Sequence, residues 1–240
     1  GYIGLGESAG EMSLMHATPA SVVHVEDEDE DLSGSVNDES SVNDESEEEH
    51  YGLHSLLFSL FAAQRQDTLA DSQQTLVKLL RRRSPGSQAI EAFASVDRAR
   101  FLPAECRDHA YVDAPVRCNV YHHSAPSIYL AAMDALDLKH GHSFLNVGSG
   151  SGFFSALVAQ LVGDKSVHIG IELHVELVEH ARARCAEVGL EHIQFKQGNA
   201  YDIQLQCSMR FDRIYVGAGA SEDLRYLFKL LKPGGVIVGP

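Results

Sequence analysis

From Ser143 onward the chain alternates between two hydrophobic periods. SFLNV (143–147), VHIGI (167–171), HIQFK (192–196), FDRIYVG (211–217) and the closing GGVIVGP are short apolar or alternating runs that predict strands. Between them, FFSALVAQLVG, VELVEHARARCAEVG ending at Gly189, and EDLRYLFKLL (222–231) carry helical spacing. Five strands alternating with helices predict a doubly wound α/β fold, a parallel sheet covered on both faces. Further helices precede it. QQTLVKLLRRR (73–83) stops before Ser84-Pro85-Gly86, SQAIEAFASV restarts with Ser87 as the N-cap, and IYLAAMDALDL (128–138) turns Ile128, Ala132, Met133 and Leu136 inward. The stretch AYVDAPVRCNVYHHSAP has no clear period. Near the start, Leu53, Leu56, Leu57, Leu60 and Phe61 make one face of a helix, which packs on its own domain or docks a partner.

Charge separates the first fifty residues from the rest. They hold 15 Asp and Glu and no Lys or Arg, leaving 19 acids balanced by 19 bases in the remainder. HVEDEDEDLSG and the tandem SVNDES at 35–40 and 41–46 repel themselves and bury almost nothing, which predicts a disordered tail. Such a tail acts as a solvated spacer, or as an acidic docking or phosphorylation segment. The expected organisation is a tail over 1–50, an amphipathic helix and linker over 51–72, and one α/β domain over 73–240. The neutral remainder gives no electrostatic reason to expect a nucleic-acid partner. Cysteines 106, 118, 185 and 207 form no C-x-x-C pair, so reduced thiols are expected rather than a disulfide framework or a zinc site. Thirteen histidines include His122-His123 and His140-x-His142, but none has metal-ligand helical spacing, and no metal is expected. No run is long and apolar enough for a membrane span.

FLNVGSGSGFF (144–154) is a strand feeding a glycine-rich turn into a helix, a site for a nucleotide or nucleoside. Gly148, Gly150 and Gly152 give G-x-G-x-G, and Phe153 stands where the dinucleotide fingerprint needs its third glycine. Glu172 ends the second strand, placed to accept ribose hydroxyls, and Asn199 follows the third strand, placed to meet an adenine edge.

NVGSGSG, IELH, GN, FDRIYVGAGA and LLKPGG, in that order, resemble the motifs of class I S-adenosylmethionine-dependent methyltransferases with their Rossmann-like sheet. AFASVDRARFLP, YVDAP, HHSAPSIY and YVGAGA further resemble the protein-L-isoaspartate O-methyltransferase family over about residues 76 to 240, nearest its divergent domain-containing branch. The resemblance implies that Ser124 is the active-site serine and that His122 and His123 line the substrate side with it. It implies that Gly148, Ser149, Gly150, Ser151 and Gly152 hold the methionine part of S-adenosyl-L-methionine. Glu172, with Leu173 beside it, would take the ribose, and Asn199 with Ala200 the adenine. Asn146 departs from the family's acidic residue, Gly198-Asn199-Ala200 from G-D-G, and His122-His123 from Thr-Ile. The resemblance also implies antiparallel strands beyond Pro240.

The implied reaction is methyl esterification of isoaspartyl residues in damaged proteins by a monomer in the cytoplasm. A carboxylate is already ionised at neutral pH, so no general base is needed. The alternative is a cofactor-binding adaptor that recruits a ubiquitin ligase through a region C-terminal to the fold.

Overall fold

The structure, a computed structural model, describes residues 2–4, 70–199, 209–217 and 224–239. The acidic tail, the apolar segment at 53–61, Ala200 and the beginning of the 222–231 segment lie outside the described residues.

Strands β4 (Phe144–Val147), β5 (His168–Glu172), β6 (Gln194–Gln197), β7 (Phe211–Val216) and β8 (Leu231–Val238) form the expected parallel sheet. A short β1 (Tyr2–Gly4), with no counterpart in the sequence reading, adds antiparallel to β8, giving the order β1-β8-β7-β4-β5-β6. From β4 the chain moves outward through β5 and β6, then returns to place β7 on the other side of β4. That reversal opens a crevice at the carboxyl end of β4, where open α/β sheets bind ligands. β4 and β5 are buried at every position, which is why they read as apolar runs without polar alternation.

Alternation still assigns the faces. Leu145 and Val147 join Ile169, Ile171, Ile214 and Leu227 in one apolar layer. Phe144 joins Phe153, Leu157, Val178 and Phe195 in the opposite layer. Asn146 shares the face of Phe144, since side chains alternate along a strand. Helices α4 (Phe153–Val162) and α5 (Val175–Glu187) follow β4 and β5.

The upstream helices supply the rest of that second layer. In α1 (Gln73–Arg83) Ser72 and Thr75 form a reciprocal capping box, Leu76 and Leu80 are fully buried, and Arg81, Arg82 and Arg83 sit where the helix dipole favours cations. The next helix, α2, runs over Ile90–Ser95 and not from Ser87. Ser87 instead accepts the Ala89 N–H and donates to Asp134, so its hydroxyl braces the turn ahead of the helix. The helix α3 (Pro126–Leu136) starts with proline in its first turn, two residues before the expected start. Its inward face is Tyr129, Leu130, Met133 and Leu136, whereas Ile128 is 56% exposed. Residues Leu224–Leu230 form a 3-10 helix rather than the expected α-helix.

The aperiodic stretch before α3 is a small hairpin, β2 (Val116–Cys118) against β3 (Tyr121–His123), turning at Asn119 with φ 52°. Cys106, in the 3-10 turn Ala104–His109, is disulfide-bonded to Cys118. This corrects the expectation of reduced thiols. β2 packs against that 3-10 turn, which brings together two cysteines twelve residues apart. Cys185 is free and buried.

Candidate active site

The glycine loop follows from backbone chemistry. Gly148, Gly150 and Gly152 all have positive φ, at 77°, 53° and 87°, a region that glycine enters without steric cost. At Gly152 a Cβ would lie 2.9 Å from the Ala181 Cβ, so glycine also permits close approach of α5. The Gly148 and Ser149 N–H groups both reach the Ile171 carbonyl at 2.9 Å, tying the loop to the end of β5.

Glu172 completes this bracing. It is 8% exposed, and its carboxylate accepts the Gly150 N–H at 2.8 Å, the Leu173 N–H at 2.8 Å and the His174 N–H at 3.1 Å. Its own carbonyl accepts the Gly198 N–H at 2.9 Å, which brings the end of β6 and exposed Asn199 alongside. The glycine loop, Glu172 and Asn199 thus occupy the carboxyl ends of three adjacent strands. Leu173 is 57% exposed on the same rim, and Ala200 lies outside the described residues.

Opposite the loop stands the β3–α3 junction. A cleft opens between them, with Gly148, Ser149, Gly150 and Ser151 on one wall and His122, Ser124 and Tyr129 on the other. Asn146, Phe154 and Tyr215 also line it. Ser124 is held at both backbone ends: its N–H donates to the Tyr129 hydroxyl at 3.1 Å, and its carbonyl accepts from Arg98 at 3.1 Å. Its side chain does not cap α3, whose N-cap is Ala125. Ser124 therefore contributes to the cleft wall rather than to the helix start.

Arg98 organises the wall of the cleft that carries Ser124, and the sequence reading did not single it out. It is fully buried and donates to the carbonyls of Ala110, Val112, Ala114 and Ser124. Burial pushes its pKa down to about 10, partly opposed by nearby Tyr129 and Asp113. Asp113 accepts from Arg83 and from the Ser127 N–H, joining α1, this segment and α3. Arg98 is one of three charges, with Asp97 and Arg100, in the AFASVDRARF run, and nothing in that spacing marks it as the buried one; a buried arginine needs several acceptors.

His122 and His123 diverge. His122 is exposed and lines the cleft, and burial together with Arg117 lowers its pKa, which favours the neutral ring. His123 is 1% exposed and turns inward, with Nε2 2.6 Å from the Ser151 hydroxyl.

Among the described residues, two buried polar atoms of the cleft lack a partner: Asn146 Oδ1 and Ser149 Oγ. Asn146 Nδ2 is already committed to Ser155 at 2.9 Å, so its acceptor is what remains available. Unpaired buried acceptors are costly, and these await a donor in the cleft. An amino acid ammonium meets that need, and a neutral amide accepts its hydrogen bond although the acidic residue expected here is absent. The cradle, the carboxylate at the end of β5 and these acceptors fit a nucleoside carrying an amino acid.

Comparisons with known proteins agree on one family. Residues 71–240 match the family model described as protein-L-isoaspartate(D-aspartate) O-methyltransferase. A protein-L-isoaspartate O-methyltransferase of Methanococcus aeolicus is 36% identical over 153 residues, which cover 62% of this chain and 69% of that protein. One of Methanococcus maripaludis is 32% identical over 153 residues, covering 63% and 71%. Among solved structures, a Plasmodium falciparum protein described as a beta-aspartate methyltransferase, in complex with S-adenosyl-L-homocysteine, superposes with TM-score 0.64 at 26% identity, covering 71% of this chain and 84% of that one. A second protein-L-isoaspartate O-methyltransferase superposes with TM-score 0.61 at 24% identity; 70% of this chain is covered, and it spans 55% of that structure.

Proposed function

Because the chain belongs to the protein-L-isoaspartate(D-aspartate) O-methyltransferase family, we propose that it transfers a methyl group from S-adenosylmethionine to the free carboxylate of isoaspartyl residues in proteins. The observation that carries this reading is the cleft itself, with a glycine cradle and orphaned acceptors on one wall and a rigidly held Ser124 on the other.

When bound, S-adenosylmethionine supplies an electrophilic sulfonium methyl. Gly148 to Gly152 receive the methionine part, and Asn146 Oδ1 and Ser149 Oγ find their donors there. Glu172, whose Oε2 keeps a lone pair after accepting the Gly150 N–H, accepts a ribose hydroxyl, and Asn199 with Ala200 meets the adenine. The substrate carboxylate arrives ionised, because an ordinary carboxyl pKa is near 4, so no side chain has to remove a proton. Bound S-adenosylmethionine would supply its methyl to a carboxylate oxygen, with the electron pair of the broken carbon–sulfur bond left on sulfur. What this chain contributes is alignment and exclusion of water. Ser124 donates its hydroxyl to the carboxylate and orients it, and His122 adds a polar contact.

The serine's part is tested by Ser124→Ala. Loss of one orienting hydrogen bond to a charged group, ~1.5–3 kcal/mol, should lower transfer by roughly ten- to a hundredfold with cofactor affinity retained. Unchanged transfer would remove Ser124 from the reaction.

A further inference from the structure

His123 ends β3, directly before Ser124, yet points away from the cleft that its two neighbours line. Alternation along an extended segment explains this: His122 and Ser124 face one way and His123 the other. What it meets is the cofactor loop. Its Nε2 lies 2.6 Å from the hydroxyl of Ser151, and its ring lies parallel to that of Phe153, with centroids 5.6 Å apart and planes 5° apart. Ser151 is within the glycine loop, and Phe153 opens α4 immediately after it. One buried ring thus grips both ends of the loop–helix junction through two different interactions.

The serine hydroxyl suits this role. Its oxygen accepts the Phe153 N–H at 3.4 Å, which leaves its proton for the imidazole. The ring stays neutral: burial drives its pKa down to about 3, Arg98, His180 and His122 push the same way, and the Phe101 carbonyl opposes them. A neutral imidazole keeps a lone pair for Ser151 throughout the physiological pH range. A purely apolar side chain would fill the space but could not hold the hydroxyl.

We propose that His123 is a positioning residue: its hydrogen bond to Ser151 couples occupancy of the glycine loop to the placement of Ser124, so that cofactor binding sets the acceptor side of the cleft. This rests on the reading of the loop as the S-adenosylmethionine site. Ser151 lines the cleft, so a ligand in the cradle orders its hydroxyl. The ordered hydroxyl fixes His123, and His123 is one peptide bond from Ser124. Tyr129 accepts the Ser124 N–H, in the peptide that joins it to His123, and Arg98 donates to the Ser124 carbonyl, so both ends of Ser124 are tied and His123 adds the link to the cofactor loop.

The test compares wild type with His123→Ile, His123→Gln, Ser151→Ala and the double variant His123→Ile/Ser151→Ala. All are first checked for folding by thermal melting. S-adenosylhomocysteine is then titrated by calorimetry, and amide hydrogen exchange over residues 121–124 is followed with and without it. In wild type the ligand should slow exchange in this segment. In His123→Ile that protection should vanish, with affinity weakened by about tenfold, the scale of one buried hydrogen bond. His123→Gln, which can place a polar atom where Nε2 stood, should recover most of both, and the double variant should be no worse than the weaker single one. Equal ligand-dependent protection in wild type and His123→Ile would overturn the coupling, as would a Gln variant as impaired as the Ile variant. If the wild type bound the ligand but methylated no isoaspartyl peptide, the transfer reading would fail while the exchange data still decided the role of His123.

Discussion

Glu172→Gln separates a site that uses its carboxylate from one that merely contains it. The side chain is almost fully buried and accepts three backbone N–H groups, from Gly150, Leu173 and His174. Glutamine has the same shape but one acceptor oxygen. If that oxygen stays with Leu173 and His174, the new NH2 faces the Gly150 N–H, donor against donor. One charge-assisted bond is lost, about 1.5–3 kcal/mol. At about 2–4 °C per kcal/mol for a domain of this size, the melting midpoint should drop by roughly 3–12 °C. The loss falls on the glycine loop and on the acceptor proposed for the ribose, so S-adenosylhomocysteine should bind about 10- to 100-fold more weakly. Calorimetric titration at matched temperature reads the affinity, and differential scanning reads the midpoint. Affinity within threefold of wild type at an unchanged midpoint would refute both the bracing and the ribose contact.

Other perturbations follow from the same packing. Gly152→Ala should abolish cofactor binding or folding, because it combines positive φ with a Cβ 2.9 Å from Ala181, and a variant with wild-type affinity and melting would contradict the reading of the loop. Arg98→Met leaves four carbonyls, one buried and three half-buried, without their donor and should destabilise by roughly 3 kcal/mol or more, with the loss read by urea denaturation; a cost below 1 kcal/mol would show that those carbonyls find other partners. Acid should weaken the fold well above the carboxylate range. His123 and His168 are pushed by burial from 6.5 to about 3, so below pH 6.5 the unfolded chain takes protons that the folded chain refuses. Their stabilising effect is complete above pH 6.5 and is lost progressively toward pH 3, about 2 kcal/mol for each ring by pH 5. Equal urea midpoints at pH 7 and pH 5 would rule this out.

The sheet and its cofactor end were legible because they rest on local signals. Continuous apolar runs of four or five residues, glycines at alternate positions and a carboxylate closing β5 each follow from short-range constraints, and all fall at the carboxyl edge of the sheet. The substrate side was less legible because it is built by contacts between distant segments. β2 and β3 have three residues each, too few to show a period, and the disulfide depends on β2 packing against the 3-10 turn that carries Cys106. Arg98 is defined by carbonyls 12 to 26 residues away, which no spacing rule anticipates. His122 and His123 looked equivalent as neighbours, and only the direction of β3 sends one to the cleft and the other to Ser151. Ile128 was placed inward with Ala132, Met133 and Leu136, whereas the buried stripe of α3 runs from Tyr129 and Leu130 to Leu136 and leaves Ile128 exposed.

The most direct measurement is transfer of labelled methyl from S-adenosylmethionine to an isoaspartyl peptide and to its ordinary aspartyl twin, by protein shown to bind S-adenosylhomocysteine. Labelling confined to the isoaspartyl peptide is the predicted result. Failure to label either peptide, with the cofactor site demonstrably occupied, would contradict the assignment of this chain as an isoaspartyl carboxyl methyltransferase.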